Sequence, residues 1–260
     1  MKKRFILILS VLFIVAAGFA GADSLKGMSL NGSTGLISIP SGRIGWERTA
    51  DLGIDLGYHA IIDDDVTTHI PKGSVSLFKM LEVGYAYDSQ DDSDNADQII
   101  HGKLQLPIQK ATAVAIGGNV QQLQQGGNEF DYQQIYIAAT YPGDFFKMPA
   151  ETTFVVGKTF GENASDEEID FGMGFDLLLF PEVFQGYIHW INDFSNFSYS
   201  MDPIGAVAGS RGVFNTGIRI DLASIPELSE FKFAIDAIVT DALDENRAFA
   251  LGVAFGAALK

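Results

Sequence analysis

The sequence predicts an all-β chain, a transmembrane antiparallel up-and-down β-barrel of about twelve strands. Three observations predict it. The stretch from Arg247 to Leu259 places Phe249, Leu251, Val253, Phe255, Ala257 and Leu259 on one parity, and Ala248, Ala250, Gly252, Ala254, Gly256 and Ala258 on the other. A period of two puts each set on one face of a strand, whereas a helix would scatter both around its axis. The same alternation recurs along the chain, in segments of the length that crosses a bilayer when tilted. Beyond residue 22, no segment has the roughly 18 uninterrupted apolar residues that a membrane helix needs.

The leader comes first. Residues 1–22 read as a cleaved secretory signal peptide: Lys2, Lys3 and Arg4, then an apolar run from Phe5 to Ala17, then Ala20-Gly21-Ala22 as the cleavage site. Losing its three cations takes the formal charge from −16 to −19. A chain this acidic repels nucleic acid. It does not read as disordered, because hydrophobic residues make up 47% and Phe alone numbers 20. There is no cysteine, so stability must come from a closed hydrogen-bonded sheet rather than disulfides.

Residues 23–48 form an ordered N-terminal segment ahead of the barrel, which occupies 49–260. The first strand, 49–60, sets Leu52, Ile54, Leu56 and Tyr58 against Asp51, Gly53, Asp55 and Gly57. Strands follow at 70–78 and 80–88, the latter with Leu81, Val83, Tyr85 and Tyr87 opposing Glu82, Gly84, Ala86 and Asp88. The next four are 98–107, 111–122, 130–141 and 151–160. The eighth, 168–179, sets Phe171, Met173, Phe175 and Leu177 against Asp170, Gly172, Gly174 and Asp176. The ninth is 185–194, with His189-Trp190-Ile191-Asn192 and Tyr187 read as part of an aromatic girdle. The tenth, 211–222, and the eleventh, 231–240, alternate around Arg219, Asp221, Lys232 and Asp236. The twelfth is the C-terminal stretch. So apolar a strand makes a hazardous open edge, but a natural closing strand facing lipid.

The connections alternate in character. Even-to-odd links are tight or proline-marked: Lys79, Ile108-Gln109-Lys110, a link through Pro142 and Pro149, Pro181 to Phe184, and one through Pro226. Odd-to-even links are polar and acidic: Asp63 to Asp65, Asp88 to Asp97, Gln124 to Glu129, Gly161 to Glu168, Asn196 to Ser210 and Asp241 to Asn246. Short turns on one rim and long loops on the other, with an even strand number, is the pattern of barrels with both termini on the periplasmic side. The acidic segments 88–97, 161–168 and 196–210 are then expected outside the cell. A soluble barrel would bury its large apolar face, and twelve strands enclose more space than side chains fill.

This segmentation resembles that of Gram-negative-type outer-membrane β-barrels. Gly35-Leu36-Ile37-Ser38-Ile39-Pro40-Ser41-Gly42-Arg43 is similar to a motif of the YjbH-like outer-membrane group, with Gly42 where that group favours Ala. The resemblance implies an outer-membrane location, contact with membrane lipid and with the barrel insertion machinery, and a link to polysaccharide export. One departure is the end of the chain, Ala258-Leu259-Lys260, where such barrels usually place an aromatic residue.

The inward parity carries the candidate functional residues: Asp51, Asp55, Glu82, Lys103, Asp176, Arg219, Asp221, Lys232 and Asp236, with His101, Gln105, Asn119 and Gln121. One reading is a polar pathway for small hydrophilic solutes, cation-favouring because acids outnumber bases. The other is a closed lumen filled by paired charges, or by residues 23–48 themselves, in a structural or accessory barrel. The run Asp91 to Asp97 offers oxygen ligands but lacks the glycine a calcium loop turns on, and reads as a solvated loop. No histidine is followed two residues later by serine, so the lipase-like signature of barrel enzymes is missing, and no cofactor or catalytic residue is expected. The glycines spaced by two are expected to relieve crowding on the luminal face.

Overall fold

The computed structural model describes residues 27–47, 50–63, 66–91, 95–107, 112–161, 169–201, 203, 205–208, 211–222, 231–245 and 247–259. The leader, the turn at 108–110, the acidic stretch 162–168 and the link through Pro226 lie outside them.

Twelve strands form one closed antiparallel barrel. They are β1 Leu52–Ile62, β2 Thr67–Leu77, β3 Leu81–Gln90, β4 Ala96–Gln105, β5 Ala113–Gln125, β6 Asn128–Phe145, β7 Met148–Gly161, β8 Asp170–Leu178, β9 Ile188–Ser195, β10 Val213–Asp221, β11 Lys232–Thr240 and β12 Ala248–Leu259. One short helix, α1 (Pro181–Phe184), lies between β8 and β9. No helix among the described residues is long and apolar enough to cross a membrane.

The wall closes where β1 pairs with β12, from Leu52↔Leu259 to Ile62↔Phe249. This register sends Ile54, Leu56, Leu251 and Val253 outward, where they are exposed, and Asp55, His59 and Ala250 inward, where they are buried. The outward face is therefore greasy and the inward face small or charged, as the period of two requires. At the end of β5 and β6 the outward face turns from Val120 and Ile135 to the exposed Gln122 and Gln133. That change marks the edge of the apolar band.

Two connections differ from the sequence reading. The link between β5 and β6 is no loop but a two-residue turn, Gly126-Gly127, with φ of 58° and 80°. Paired glycines at positive φ suit the twist of a hairpin. The link between β6 and β7 is Phe146-Lys147, and Pro142 and Pro149 lie inside the strands. Proline is tolerated there because each sits beyond its other neighbour. Pairing with β5 stops at Thr140, and pairing with β8 stops at Ala150, so neither missing N–H breaks a ladder.

Candidate functional site: the filled lumen

Residues 27–47 are buried throughout, inside the barrel. The segment folds on itself through isolated bridges Met28↔Thr34 and Gly35↔Pro40. Among the described residues, no backbone–backbone hydrogen bond joins it to the wall. A buried peptide group still needs a partner. Here the wall's side chains supply them.

Acceptors come from wall side chains, three carboxylates and one hydroxyl. Glu82 of β3, fully buried, accepts from Thr34 N at 2.8 Å, from the Thr34 hydroxyl, and from Gly45 N at 3.0 Å. Asp193 of β9 accepts from three successive amides, Ile37 N (2.8 Å), Ser38 N (2.6 Å) and Ile39 N (3.2 Å), a nest of N–H groups around one anion. Asp55 accepts from Trp46 Nε1 at 3.0 Å. Thr140 accepts from Gly42 N at 2.9 Å.

Donors come from wall cations. Lys72 donates to the Ser29 carbonyl at 2.7 Å, Lys103 to the Thr34 carbonyl at 2.8 Å, and Lys232 to the Gly45 carbonyl. Arg219 reaches the Gly35 and Leu36 carbonyls at 3.5 Å each. The same cations pair with wall acids: Arg219 forks onto Asp236 at 2.8 and 2.9 Å, Lys103 lies 3.4 Å from Glu82, and Lys232 lies 3.8 Å from Asp55. Near the turn rim, Arg43 of the segment bridges Glu47 (2.9 Å) and Glu151 (2.7 Å).

Glycines of the wall receive the segment's side chains. A methyl at Gly53 would lie 2.1 Å from Trp46, at Gly174 2.5 Å from Leu36, and at Gly172 2.9 Å from Ile39. Leu36 and Ile39 then pack on Tyr136, Ala138 and Val155, with Phe197 against the cluster. The glycine spacing thus relieves crowding, and what it makes room for is the segment.

At the opposite mouth, described residues of the connection 196–212 turn inward. Tyr199, Ser200, Ala206 and Ala208 are buried, and Tyr199, Ala206 and Ala208 join a cluster with Leu30, Ile61, Ile99 and Ile238. Tyr199 Oη donates to Asp88 Oδ2 at 2.6 Å, and Met201 N donates to Asp97 Oδ2 at 3.4 Å. Asp88 and Asp97 are direct register partners. Burial and the adjacent Asp88 push the Tyr199 phenol well above its usual range, so it stays a neutral donor. Described residues of the stretch expected as an outer loop, Tyr199 and Ser200 among them, therefore lie in the barrel mouth. Two spaces border described residues of the segment: about 290 Å³ at the turn rim near Arg43, Glu47 and Gln105, and about 10 Å³ beside Gly45, Asp55 and Lys232. The second is at the lower limit for one water.

Of the expected luminal residues, Asp55, Glu82, Lys103, Arg219, Asp221, Lys232 and Asp236 are buried on the inward parity. Asp176 is half-buried there, 2.6 Å from His189 Nδ1. Asp51 is a correction. It precedes the first residue of β1, is exposed at the rim, and lies 3.5 Å from Lys79. His189 is another: it shares the register position of Arg219, on the luminal parity rather than in an outer girdle. Lys72, Asp193 and Asp97 are buried wall residues that the sequence reading does not single out, and Asp88 lies on the inward face it assigns. Among the described residues, no group of three or more His, Cys, Asp or Glu is placed to hold a metal ion.

No family model matches the chain, and no curated protein sequence matches it either. Solved structures do. The KdgM porin matches with a TM-score of 0.50 at 6% identity, over 79% of this chain and 99% of that one. The fold is that of outer-membrane porins. The KdgM porin in complex with disordered oligogalacturonate gives a TM-score of 0.50 at 5% identity, over 79% and 99% of the two chains. Omp33 of Acinetobacter baumannii gives 0.43 at 10% identity, over 81% and 98%. At these identities the likeness concerns the fold alone.

Proposed function

We propose that this chain is an outer-membrane channel for small hydrophilic solutes, closed at rest by its own residues 27–47. The observation that carries this reading is the mode of attachment. The segment is tied to the wall by side chains and not by strand pairing, so it is separable without opening the barrel. The porin fold and the apolar outward face support placement in the outer membrane, reached through the leader 1–22 and the insertion machinery. No catalytic step belongs to this reading.

Once the segment leaves, the wall is polar enough to hold water. Its buried acids Asp55, Glu82, Asp88, Asp97, Asp170, Asp193, Asp221 and Asp236 outnumber Lys72, Lys103, Arg219 and Lys232. In the closed state, wall cations pair with Asp55, Glu82 and Asp236, and the segment's amides bond to Glu82 and Asp193. An emptied lumen would therefore favour cations, more so at low ionic strength. A reversal potential under a salt gradient tests this: cation selectivity is expected, and anion selectivity contradicts it.

The test of the channel itself is conductance in planar bilayers, with and without residues 23–48. The full chain should be nearly silent and the shortened barrel should conduct. A folded but silent shortened barrel would favour the second reading, a structural or accessory barrel, with the export link that the YjbH-like resemblance implies. One observation speaks for that reading. Lys103–Glu82 and Arg219–Asp236 are ion pairs with almost no exposure, and such pairs fill space as well as they line a path.

A further inference from the structure

The lumen has the two properties of a peptide-binding site. It reads main chain, and it holds sockets for side chains. Main-chain recognition is spread around the wall: Glu82 and Asp193 take amides, while Lys72, Lys103 and Lys232 take carbonyls. These groups stand on β2, β3, β4, β9 and β11. A strand docking on a sheet edge would use the sheet's own amides instead. A closed barrel has no free edge, so charged side chains do that work.

Side-chain recognition is equally specific. Leu36, Ile39 and Trp46 each enter a place that a wall glycine leaves open. Trp46 is also gripped by polar groups: its Nε1 donates to Asp55, and Lys232 Nζ lies 4.1 Å from its ring centre. A wall meant only to be filled could pack any bulk. This wall matches one backbone path and one spacing of large side chains.

We infer that the luminal wall is a polypeptide-binding site, occupied in cis by residues 27–47, that takes a separate peptide of the same sequence in trans. The ligand class is a bent peptide segment without strand pairing. It offers three successive amides to Asp193, an amide and a hydroxyl to Glu82, and apolar anchors at the spacing of Leu36, Ile39 and Trp46. This holds whether or not the emptied lumen conducts.

The experiment keeps the whole chain. A protease site is inserted between residues 47 and 50, the protein is folded and cut, the released N-terminal piece is washed out in mild denaturant until mass spectrometry no longer detects it, and a fluorescent synthetic peptide of residues 27–47 is added. The readout is fluorescence anisotropy. The expected result is saturable uptake, competed by unlabelled peptide and absent for a peptide carrying Leu36→Asp and Ile39→Asp. Asp193→Asn in the wall should weaken uptake roughly 10- to 100-fold, the range for losing charge-assisted hydrogen bonds. If that variant does not fold, Gly53→Ala, whose added methyl has only Trp46 atoms as its three nearest neighbours, fills the Trp46 socket and should also weaken uptake. No uptake, or equal uptake of the substituted peptide, overturns the inference. Silence in a conductance measurement would sink the channel reading alone.

Discussion

Asp193 has Ile37, Ser38 and Ile39 aimed at one carboxylate oxygen, and Asn215 Nδ2 donating to the other at 2.8 Å. Asp193→Ala would leave several buried donors unmet at once. The expected cost is about 2–5 kcal/mol in denaturant unfolding of the purified barrel, with Asp193→Asn milder. An unchanged midpoint would mean that the segment does not rest on this residue. Neighbouring residues of β12 give a second test. A methyl at Gly252 would lie 2.3 Å from the His59 ring, whereas Val253 faces outward. Gly252→Ala should therefore destabilise while Val253→Ala is nearly neutral. At Val253, Arg near the midplane should cost about 2–4 kcal/mol through contact with lipid. Gly252→Ala as well tolerated as Val253→Ala, or Val253→Arg without cost, would refute the parity.

Elements differ in how far their sequences announced them. β1 and β12 were legible because their alternation is strict and the wall there is small or charged inside. β9 was not. It turns the apolar Ile191 inward and the polar Asn192 outward, where Asn192 accepts from the Thr216 hydroxyl at 2.7 Å. That inversion hid Asp193 and misplaced His189. The β6–β7 turn gives an element-scale prediction. Phe146 and Lys147 both sit at positive φ, 51° and 66°, a conformation costly for side-chain-bearing residues. Replacing them with Asn-Gly should stabilise the barrel by about 1–3 kcal/mol in the same unfolding assay. A loss of stability would mean that the exposed Phe146 makes contacts that outweigh the strain. The connection 196–212 gives another. A tag at Ser200 should be poorly reached on intact cells, whereas one at Gly126-Gly127 should be reached. A freely accessible Ser200 tag would contradict the inward fold of this stretch.

At the scale of the molecule, the barrel is local and the site is not. Each strand pairs with its sequence neighbour, and only β1 with β12 closes a long loop. Local periodicity therefore carried the architecture. The filled lumen depends on contacts such as Thr34 with Glu82 and Ile37 with Asp193, separated by 48 and 156 residues. The segment itself has no period, because it follows the charges around it rather than a ladder. Its place in the lumen follows from these long-range contacts, which local periodicity does not encode. The chain's lack of cysteine allows a direct check. Ser38 is 1% exposed, and its hydroxyl donates to Asp193 at 3.1 Å. A single Ser38→Cys variant in the folded, full chain should react with a membrane-impermeant thiol reagent at least about 100-fold more slowly than the same variant unfolded. Labelling as fast as in the unfolded chain would place residues 27–47 outside the lumen and contradict the account.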